Sequence, residues 1–293
     1  MSSISLFPTT SPAPAAGHPA VPFLAQAARR GARALGAGLQ VARQTLVPWL
    51  LPLALLVVWQ AASSLGWLSN RILPSPSSVA LAAWNLGSSG ELFHHLRVST
   101  SRALAGLVVG GGLGLLLGVL NGLSHRAETL LDSTLQMLRN IPALALIPLV
   151  ILWFGIGESA KLFLIATAVF FPLYLNTFHG IRHVDRGLIE MGRTYGLSRW
   201  ALCRHIILPA ALPSMLVGLR FALGLMWVIL IVAETISANA GIGYLTMNAR
   251  EFMQTDVVLL GILLYALLGK LADSLAHLLE RRLLSWHPAH QDD

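Results

Sequence analysis

The sequence predicts an all-α integral membrane protein with about six transmembrane helices. Of its 293 residues, 55% are hydrophobic and only 11% are charged, and the mean hydropathy is +0.68. A soluble domain of this length would carry about a quarter charged residues, so too few polar groups are present to solvate a globule. Six apolar segments approach the length that an α-helix needs to cross the hydrocarbon core. These segments lie roughly at 46–66, 101–122, 131–153, 161–179, 216–238 and 257–278.

The third apolar segment is polar for a membrane span. It begins with Leu135-Gln-Met-Leu-Arg-Asn-Ile-Pro142 and contains a second proline, Pro148. Irregular backbone at membrane depth is tolerated where it lines a cavity or is buried in protein. We therefore expect either a broken helix that lines a cavity or a partly re-entrant segment.

The distribution of Arg and Lys between the spans predicts the orientation. Four Arg precede the first span, five lie in the loop at 180–215, and two follow the last span. The opposite side carries Arg71, Arg97, Lys161 and Arg250. Because cytoplasmic loops carry the excess of positive charge, we expect both termini and the 180–215 loop in the cytoplasm.

Composition predicts how the remaining chain is organised. Residues 1–45 are expected to form a cytoplasmic tail. The composition of residues 1–22 predicts disorder, and that of the Arg-containing stretch 23–45 predicts an amphipathic surface helix. The first span at 46–66 is followed by an outer segment at 67–98. Residues 99–280 hold the other spans and the 180–215 loop, and 281–293 form a cytoplasmic C-terminal tail.

The residue content excludes several kinds of function. The single cysteine, Cys203, cannot form an internal disulfide, and the ten His residues show no zinc-protease spacing. We therefore expect no catalytic and no metal site. The sequence has no Gly-x-x-x-x-Gly-Lys-Ser/Thr loop, so the chain itself is not expected to bind ATP. The net charge of +7 is explained by the Arg residues that set the orientation, and no nucleic-acid partner is expected.

Five glycines recur at every fourth position of the second span. This spacing leaves one helical face almost bare and predicts close helix packing in the membrane. The neighbouring helix can belong to the same subunit or to another one. The glycines are Gly106, Gly110, Gly114, Gly118 and Gly122.

Charged residues within or near the spans need an explanation, because they are costly in lipid. Arg102, Arg139 and Arg220 lie near predicted span ends, where their side chains can extend to the interface. Lys270 and Asp273 are three residues apart on one helix face and predict an ion pair.

Glu234 ends a strongly apolar run and allows two interpretations. Its carboxylate can line a polar path, or it can be hydrogen-bonded to neighbouring groups at the outer edge of the span. The sequence favours neither alternative.

The 180–215 loop predicts a helix, a turn and a second helix. The first helix extends from about Asp185 to Tyr195, and Gly196 suits the left-handed residue that ends it. Ser198 can cap the second helix, which is expected to stop before Pro209. The carboxylate of Glu190 lies on the first helix and suits docking into a groove of a partner, although a solvated connector is the alternative.

The same loop resembles the EAA loop of bacterial ABC importer permeases. Glu190 is followed by Gly196 and, after nine residues, by Ile206-x-Leu208-Pro209. The resemblance implies that the loop forms a coupling helix that docks in a cleft of an ATPase subunit, where the Glu pairs with a basic residue. Met191 and Gly192 stand where the family favours two alanines, and Gly costs about 1 kcal/mol of helix propensity.

Further motifs are similar to the aliphatic sulfonate permeases within this family, over roughly residues 46–286. They are Gln136-Met-Leu-Arg-Asn-Ile-Pro142, Leu146-Ile-Pro-Leu-Val-Ile-Leu-Trp-Phe-Gly155, Ala233-Glu-Thr-Ile-Ser-Ala-Asn239, Gly241-Ile-Gly-Tyr244 and Asn248-Ala-Arg-Glu-Phe252.

The resemblance implies a type 1 ABC importer transmembrane domain in the bacterial inner membrane, with 67–98 in the periplasm. It implies a homodimer with two ATPase subunits, which use ATP and Mg, and a periplasmic sulfonate-binding protein. Sulfonates would cross by alternating access, and this chain is then no enzyme. Arg139, Asn140 and Glu234 are candidates for the translocation path.

Several alternatives remain at this point. Permeases for taurine, for nitrate or bicarbonate and for thiamine-precursor pyrimidines share the general pattern. A secondary transporter would usually show an internal repeat and a midplane site, and neither is visible in the sequence. A membrane-embedded enzyme would need a cluster of acid, base or metal-binding residues.

Overall fold

The computed structural model describes residue 47 and residues 50–286, and all regular structure there is helical. The tail predicted at 1–45 and the last residues, 287–293, lie outside this range. The chain divides into two compact units, Met1–Trp59 and Gln60–Asp293. In the first unit the described residues 50–59 are helical.

Ten helices follow one another in the described part of the chain. In chain order they are α1 Leu50–Ser64, α2 Pro76–Ser88, α3 Glu91–Leu123, α4 His125–Arg139, α5 Ile147–Phe154, α6 Glu158–Arg182, α7 Arg186–Thr194, α8 Arg199–Ile236, α9 Ile242–Glu251 and α10 Thr255–Leu283.

Four of these helices, α3, α6, α8 and α10, are long and apolar enough to cross a membrane, and they correspond to four predicted spans. The predicted third span is α4 followed by the segment Ala143–Phe154, and the two parts are bent by 84°. This agrees with the expected broken or re-entrant segment. The first span is represented by α1, whose described part is shorter than 46–66. The described residues therefore contain four spans, or five with the bent pair, where the sequence predicts six.

The glycine face of α3 lies against α6 of the same chain. A Cβ atom at Gly114 would fall 2.6 Å from the Phe170 carbonyl oxygen, and one at Gly118 would fall 2.9 Å from that of Tyr174. The other three glycines also lie close to α6. Gly110 approaches the backbone of Ala166, and Gly106 and Gly122 approach the side chains of Ile165 and Ile181. These contacts bring the two backbones together, which larger residues would prevent.

Helix α8 packs on another side of α6 in a similar way. A Cβ atom at Gly218 would fall 3.0 Å from the Pro172 carbonyl oxygen, and one at Gly180 would fall 3.1 Å from that of Ala211. Ser214 donates a hydrogen bond of 2.8 Å to the Asn176 carbonyl oxygen across the same seam. Helices α3, α6 and α8 thus form the core that positions the candidate sites.

The second helix of the 180–215 loop does not stop before Pro209, so that expectation was wrong. A π turn at Cys203–Ile207 precedes the proline, and the helix continues through it as α8. In this turn the Leu208 N–H donates to the Cys203 carbonyl, five residues back. The widened turn accommodates a ring that would clash with the carbonyl four residues back in a regular α-helix.

Candidate functional sites: the α7 loop and a buried ion network

Helix α7 is defined at both ends by local hydrogen bonds. The Asp185 carboxylate accepts from the Gly187 N–H at 2.8 Å and caps the start of the helix. Gly196 adopts a positive φ of 75°, and the Leu197 N–H bonds to the Gly192 carbonyl at 3.1 Å. Ser198 then caps α8 through the Ala201 N–H. The predicted helix, turn and helix start of this loop are therefore present.

Gly192 is the buried residue of α7. A Cβ atom there would fall 2.7 Å from Leu202 Cδ1 and 2.5 Å from Ile206 Cδ1, both on the first turns of α8. The absence of a side chain lets α7 lie close to α8. This contact also gives Ile206 of the sequence motif a structural role, while Leu208 and Pro209 follow the π turn.

Glu190 lies on the other side of α7. Residues two positions apart on a helix are separated by about 160° around its axis, so Glu190 points away from the face that holds Gly192. Its side chain is exposed, and no group in residues 50–286 donates a hydrogen bond to its carboxylate. Arg186 and Arg193, four residues before and three residues after it, are also exposed.

Helix α7 also carries an exposed apolar stripe, on a different side from Glu190. Leu188, Met191 and Tyr195 are 42%, 49% and 81% exposed, and their spacing places them on one side of α7. A short amphipathic helix with exposed apolar residues in this spacing is typical of a helix that binds in a groove.

The end of α6 is joined to the broken segment next to this loop. The Arg182 guanidinium forms an ion pair with the Glu128 carboxylate on α4. His125 lies 2.9 Å from the same carboxylate. The loop that carries α7 therefore starts at a residue fixed to α4.

Arg139 and Asn140 lie at the bend of the broken segment, and both are exposed. A cavity of about 760 Å³ lies between this segment, α3 and α6. Aromatic side chains such as Trp153, Phe163 and Phe170 line it, and Ser159 and Thr167 are its polar lining residues. Because its described lining carries no charged side chain, the cavity does not by itself form an anion site.

A buried ion network surrounds Glu234, whose side chain has 0% exposure. Its carboxylate accepts hydrogen bonds from the Ser99 hydroxyl at 2.8 Å, the Gly243 N–H at 2.9 Å and the Tyr265 hydroxyl at 3.0 Å. Arg102 Nη1 donates to it at 2.8 Å. Of the two interpretations that the sequence allowed, this geometry is that of a carboxylate hydrogen-bonded to its neighbours.

Arg102 is buried, so the expectation that it extends to the membrane interface was wrong. Its Nε and Nη2 donate to the two carboxylate oxygens of Glu158 at 2.6 and 2.5 Å. Its Nη1 also donates to the Ala240 carbonyl at 2.5 Å. Lys161 contacts Glu158 at 3.0 Å, so two positive and two negative charges balance within the cluster. Pairing and balance offset the cost of burying these charges.

Three other charged residues, Arg220, Lys270 and Asp273, form a cluster that agrees largely with expectation. Lys270 and Asp273 form the predicted pair at 3.5 Å, and Arg220 joins it at 2.7 Å from Asp273. Arg220 therefore has a carboxylate partner on α10 as well as an exposed side chain.

Ser99, Glu158 and Tyr265 could not be recognised from the sequence as partners of Arg102 and Glu234. The residues that meet here are separated by 31 to 135 positions along the chain. The available signal was the pair Gly241 and Gly243 close after Glu234. A Cβ atom at Gly243 would fall 2.5 Å from Glu234 Cβ, so a small residue is needed there.

Comparison with known proteins identifies the family. The model of the binding-protein-dependent transport system inner membrane component family matches residues 110–285, more than half of the chain. The chain belongs to this family. The resemblance of its loop motifs to ABC importer permeases is thereby confirmed.

Relatives of this permease subunit align along most of its length. It is 65% identical over 245 residues to the putative aliphatic sulfonates transport permease protein SsuC of Escherichia coli (strain K12), covering 84% of this chain and 93% of that protein. The protein of the same name in Bacillus subtilis (strain 168) is 47% identical over 242 residues, covering 83% and 88%. The taurine transport system permease protein TauC of Escherichia coli (strain K12) is 37% identical over 238 residues, covering 80% and 86%.

Among solved structures, a crystal structure of an amino acid ABC transporter with histidines aligns with a TM-score of 0.53. The identity is 19%, and the alignment covers 64% of this chain and 92% of that one. This likeness shows the fold, the transmembrane domain of a type 1 ABC importer.

Proposed function

We propose that this chain is the permease subunit of an ATP-driven importer for aliphatic sulfonates. The identity of 65% and 47% to two proteins named as aliphatic sulfonate permeases carries this proposal, since the taurine permease is more distant at 37%. The subunit acts as a homodimer with two ATPase subunits and a periplasmic sulfonate-binding protein. It lies in the inner membrane with both termini in the cytoplasm, as the distribution of Arg and Lys favours.

Helix α7 is the coupling helix in this proposal. Glu190 and the stripe of Leu188, Met191 and Tyr195 are exposed, whereas Gly192 packs against α8. The exposed surface of α7 enters a groove of the ATPase subunit, where the Glu190 carboxylate pairs with a basic group. ATP and Mg are bound by that subunit.

Movement of α7 is transmitted through its two attachments. One is the Gly192 contact with α8, and the other is the short connection to Arg182, which is paired with Glu128 on α4. ATP-driven closure of the ATPase pair thus displaces both α8 and the broken segment, and access alternates between the two sides of the membrane.

Arg139 and Asn140 are the proposed residues of the translocation path. They are exposed at the 84° bend, where irregular backbone is tolerated next to a water-filled space. Glu234 has no exposed side-chain surface, and we assign it a supporting position behind the path.

The test is uptake by vesicles that contain the permease with its ATPase and binding-protein subunits. We expect ATP-dependent uptake of a labelled alkanesulfonate that exceeds the uptake of taurine and of nitrate. Preferred uptake of taurine would move the assignment to the taurine permeases. Uptake driven by a proton or sodium gradient, without the ATPase subunit, would contradict the proposal.

A further inference from the structure

Arg102 joins three core helices at one end of the bundle. It lies on α3, its fork binds both oxygens of Glu158 at the start of α6, and it reaches Glu234 near the end of α8. Its contact with the Ala240 carbonyl adds the turn that leads into α9. The guanidinium thus donates four hydrogen bonds, each to an oxygen atom.

This junction and the coupling loop lie at opposite ends of α6. Glu158 is the first residue of the 25-residue helix, and α7 begins four residues after its last residue, Arg182. At 1.5 Å per residue the two ends are about 37 Å apart. If the 180–215 loop is cytoplasmic, the Arg102 junction lies at the outer end of the molecule.

Between these ends α6 packs closely against both neighbours. Backbone carbonyl groups of α6 lie against the α3 glycines from Gly110 to Gly118, and the Gly218 and Gly180 contacts hold α8 on another side. Helix α6 contains Pro172 near its middle, so it is not a uniformly rigid rod. How α3 and α8 follow a displacement of α6 at the outer end therefore depends on what connects the three helices there.

We propose that Arg102 is a positioning residue that makes the outer ends of α3, α6 and α8 move together, so that displacement of α7 opens and closes the outer side of the transport path. This inference rests on the proposed coupling role of α7. Arg suits this position because its planar fork binds one carboxylate through two bonds and still donates to a second. A lysine ammonium is a point donor and cannot form the same set of bonds.

The two carboxylates that bind Arg102 differ in a way that separates coupling from folding. The Glu234 side chain is completely buried, whereas that of Glu158 is 58% exposed. Glu158→Gln replaces the two-bond ion pair with Arg102 by a weaker hydrogen bond to one amide oxygen, and it leaves the buried pair with Glu234 intact. Lys161, which is 3% exposed, would then lose its partner. The informative variant is therefore the double substitution Glu158→Gln with Lys161→Met.

The experiment measures the coupling ratio, the number of alkanesulfonate molecules taken up per ATP hydrolysed, in vesicles that contain the complete complex. This ratio does not depend on how much complex is assembled, so a purely stabilising role would leave it unchanged. Lys161→Met alone is the background for the double variant. Glu251→Gln is the matched control, because Glu251 is an exposed carboxylate without an ion pair in the described residues.

We expect the double variant to retain the ATPase subunit and ATP hydrolysis but to lose about fivefold or more in the coupling ratio. Fivefold is the lower end of the range by which one site typically affects a distant one. The Lys161→Met background and Glu251→Gln should keep most of the wild-type ratio. A wild-type ratio in the assembled double variant would overturn the proposal. If that variant does not assemble, Glu158→Asp, which keeps the charge and shortens the reach, is measured instead. A full ratio in Glu158→Asp would then overturn the proposal.

Failure of this inference can be distinguished from failure of the proposed function. If the wild-type complex shows no ATP-dependent sulfonate uptake, the proposed function is wrong. If the wild type and Glu251→Gln transport with a normal ratio and the double variant does so too, only the role of Arg102 is wrong.

Discussion

Gly192 on α7 and Ile206 on α8 are in such close contact that a Cβ atom on the glycine would fall 2.5 Å from Ile206 Cδ1. The loop motif therefore contains two residues, Gly192 and Ile206, that determine how α7 packs on α8. The exposed carboxylate of Glu190 belongs to the same motif. Glycine at position 192 allows this close approach of the two helices. The nearby atoms are tips of flexible side chains, so alanine could be accommodated by a small shift.

Replacement of Gly192 by leucine should separate α7 from α8. Overpacking of a tight contact costs about 1–3 kcal/mol, enough to displace a nine-residue helix. We expect the ATPase subunit to be lost during co-purification and uptake to fall with it. Gly192→Ala is the matched control and should retain most of both. Full ATPase binding by the leucine variant would show that α7 does not need its position on α8.

Glu190→Lys should act without disturbing the permease itself, because the side chain is exposed and points away from α8. A lysine would repel the basic group that we propose on the ATPase. ATP hydrolysis and uptake should become uncoupled, or the ATPase subunit should dissociate, as measured in the reconstituted complex. Glu251→Lys, a charge reversal on α9, controls for the change in net charge. Normal coupled transport by the Glu190→Lys complex would disprove the assigned role.

The glycine face of α3 can be tested with a pair of substitutions two positions apart. A Cβ atom at Gly114 would fall 2.6 Å from a backbone oxygen of α6, whereas one at Gly112 meets nothing within 4 Å. We expect Gly114→Leu to reduce the yield and the melting temperature in detergent, and Gly112→Leu to change neither appreciably. Equal behaviour of the two variants in size-exclusion chromatography and thermal unfolding would contradict the described α3–α6 packing.

Glu234→Gln should destabilise the permease much more than the loss of an exposed ion pair. Removal of one partner of a buried pair leaves an uncompensated charge and costs about 3 kcal/mol or more. We expect a clearly lower melting temperature for this variant. Arg220→Gln, which breaks the exposed contact with Asp273, should leave it nearly unchanged. If Glu234→Gln melts at the same temperature as the wild type, the carboxylate is not needed to balance the charge of Arg102.

The sequence could predict those features that depend on neighbouring residues. The cap at Ser198 and the turn at Gly196 follow from local chemistry, and the four-residue spacing of the α3 glycines indicates a face that allows close packing. The identity of the opposing helix could not be predicted, because spacing defines a face but not its partner. The continuation of α8 through Pro209 was missed since a π turn has no strong sequence signal.

The ion network illustrates the same limit at larger separation. Arg102 and Glu234 are 132 residues apart, and each alone is compatible with a membrane-interface position. Only the packing of α3, α6 and α8 brings them together. Gly241 and Gly243 lie against the Glu234 side chain, but two glycines close after a glutamate do not show by themselves which group they accommodate.

The backbone contact between α3 and α6 also affects how the protein can fluctuate. A usual helix seam contains a layer of side chains that can change rotamer and absorb small displacements, whereas from Gly110 to Gly118 the glycines of α3 lie against carbonyl groups of α6. This middle part of the seam has few side chains between the two backbones, so its amide hydrogens should exchange slowly with deuterated solvent. The conformational changes of a transport cycle are then expected at seams filled by side chains and at the helix ends, while the middle parts of α3 and α6 stay in contact.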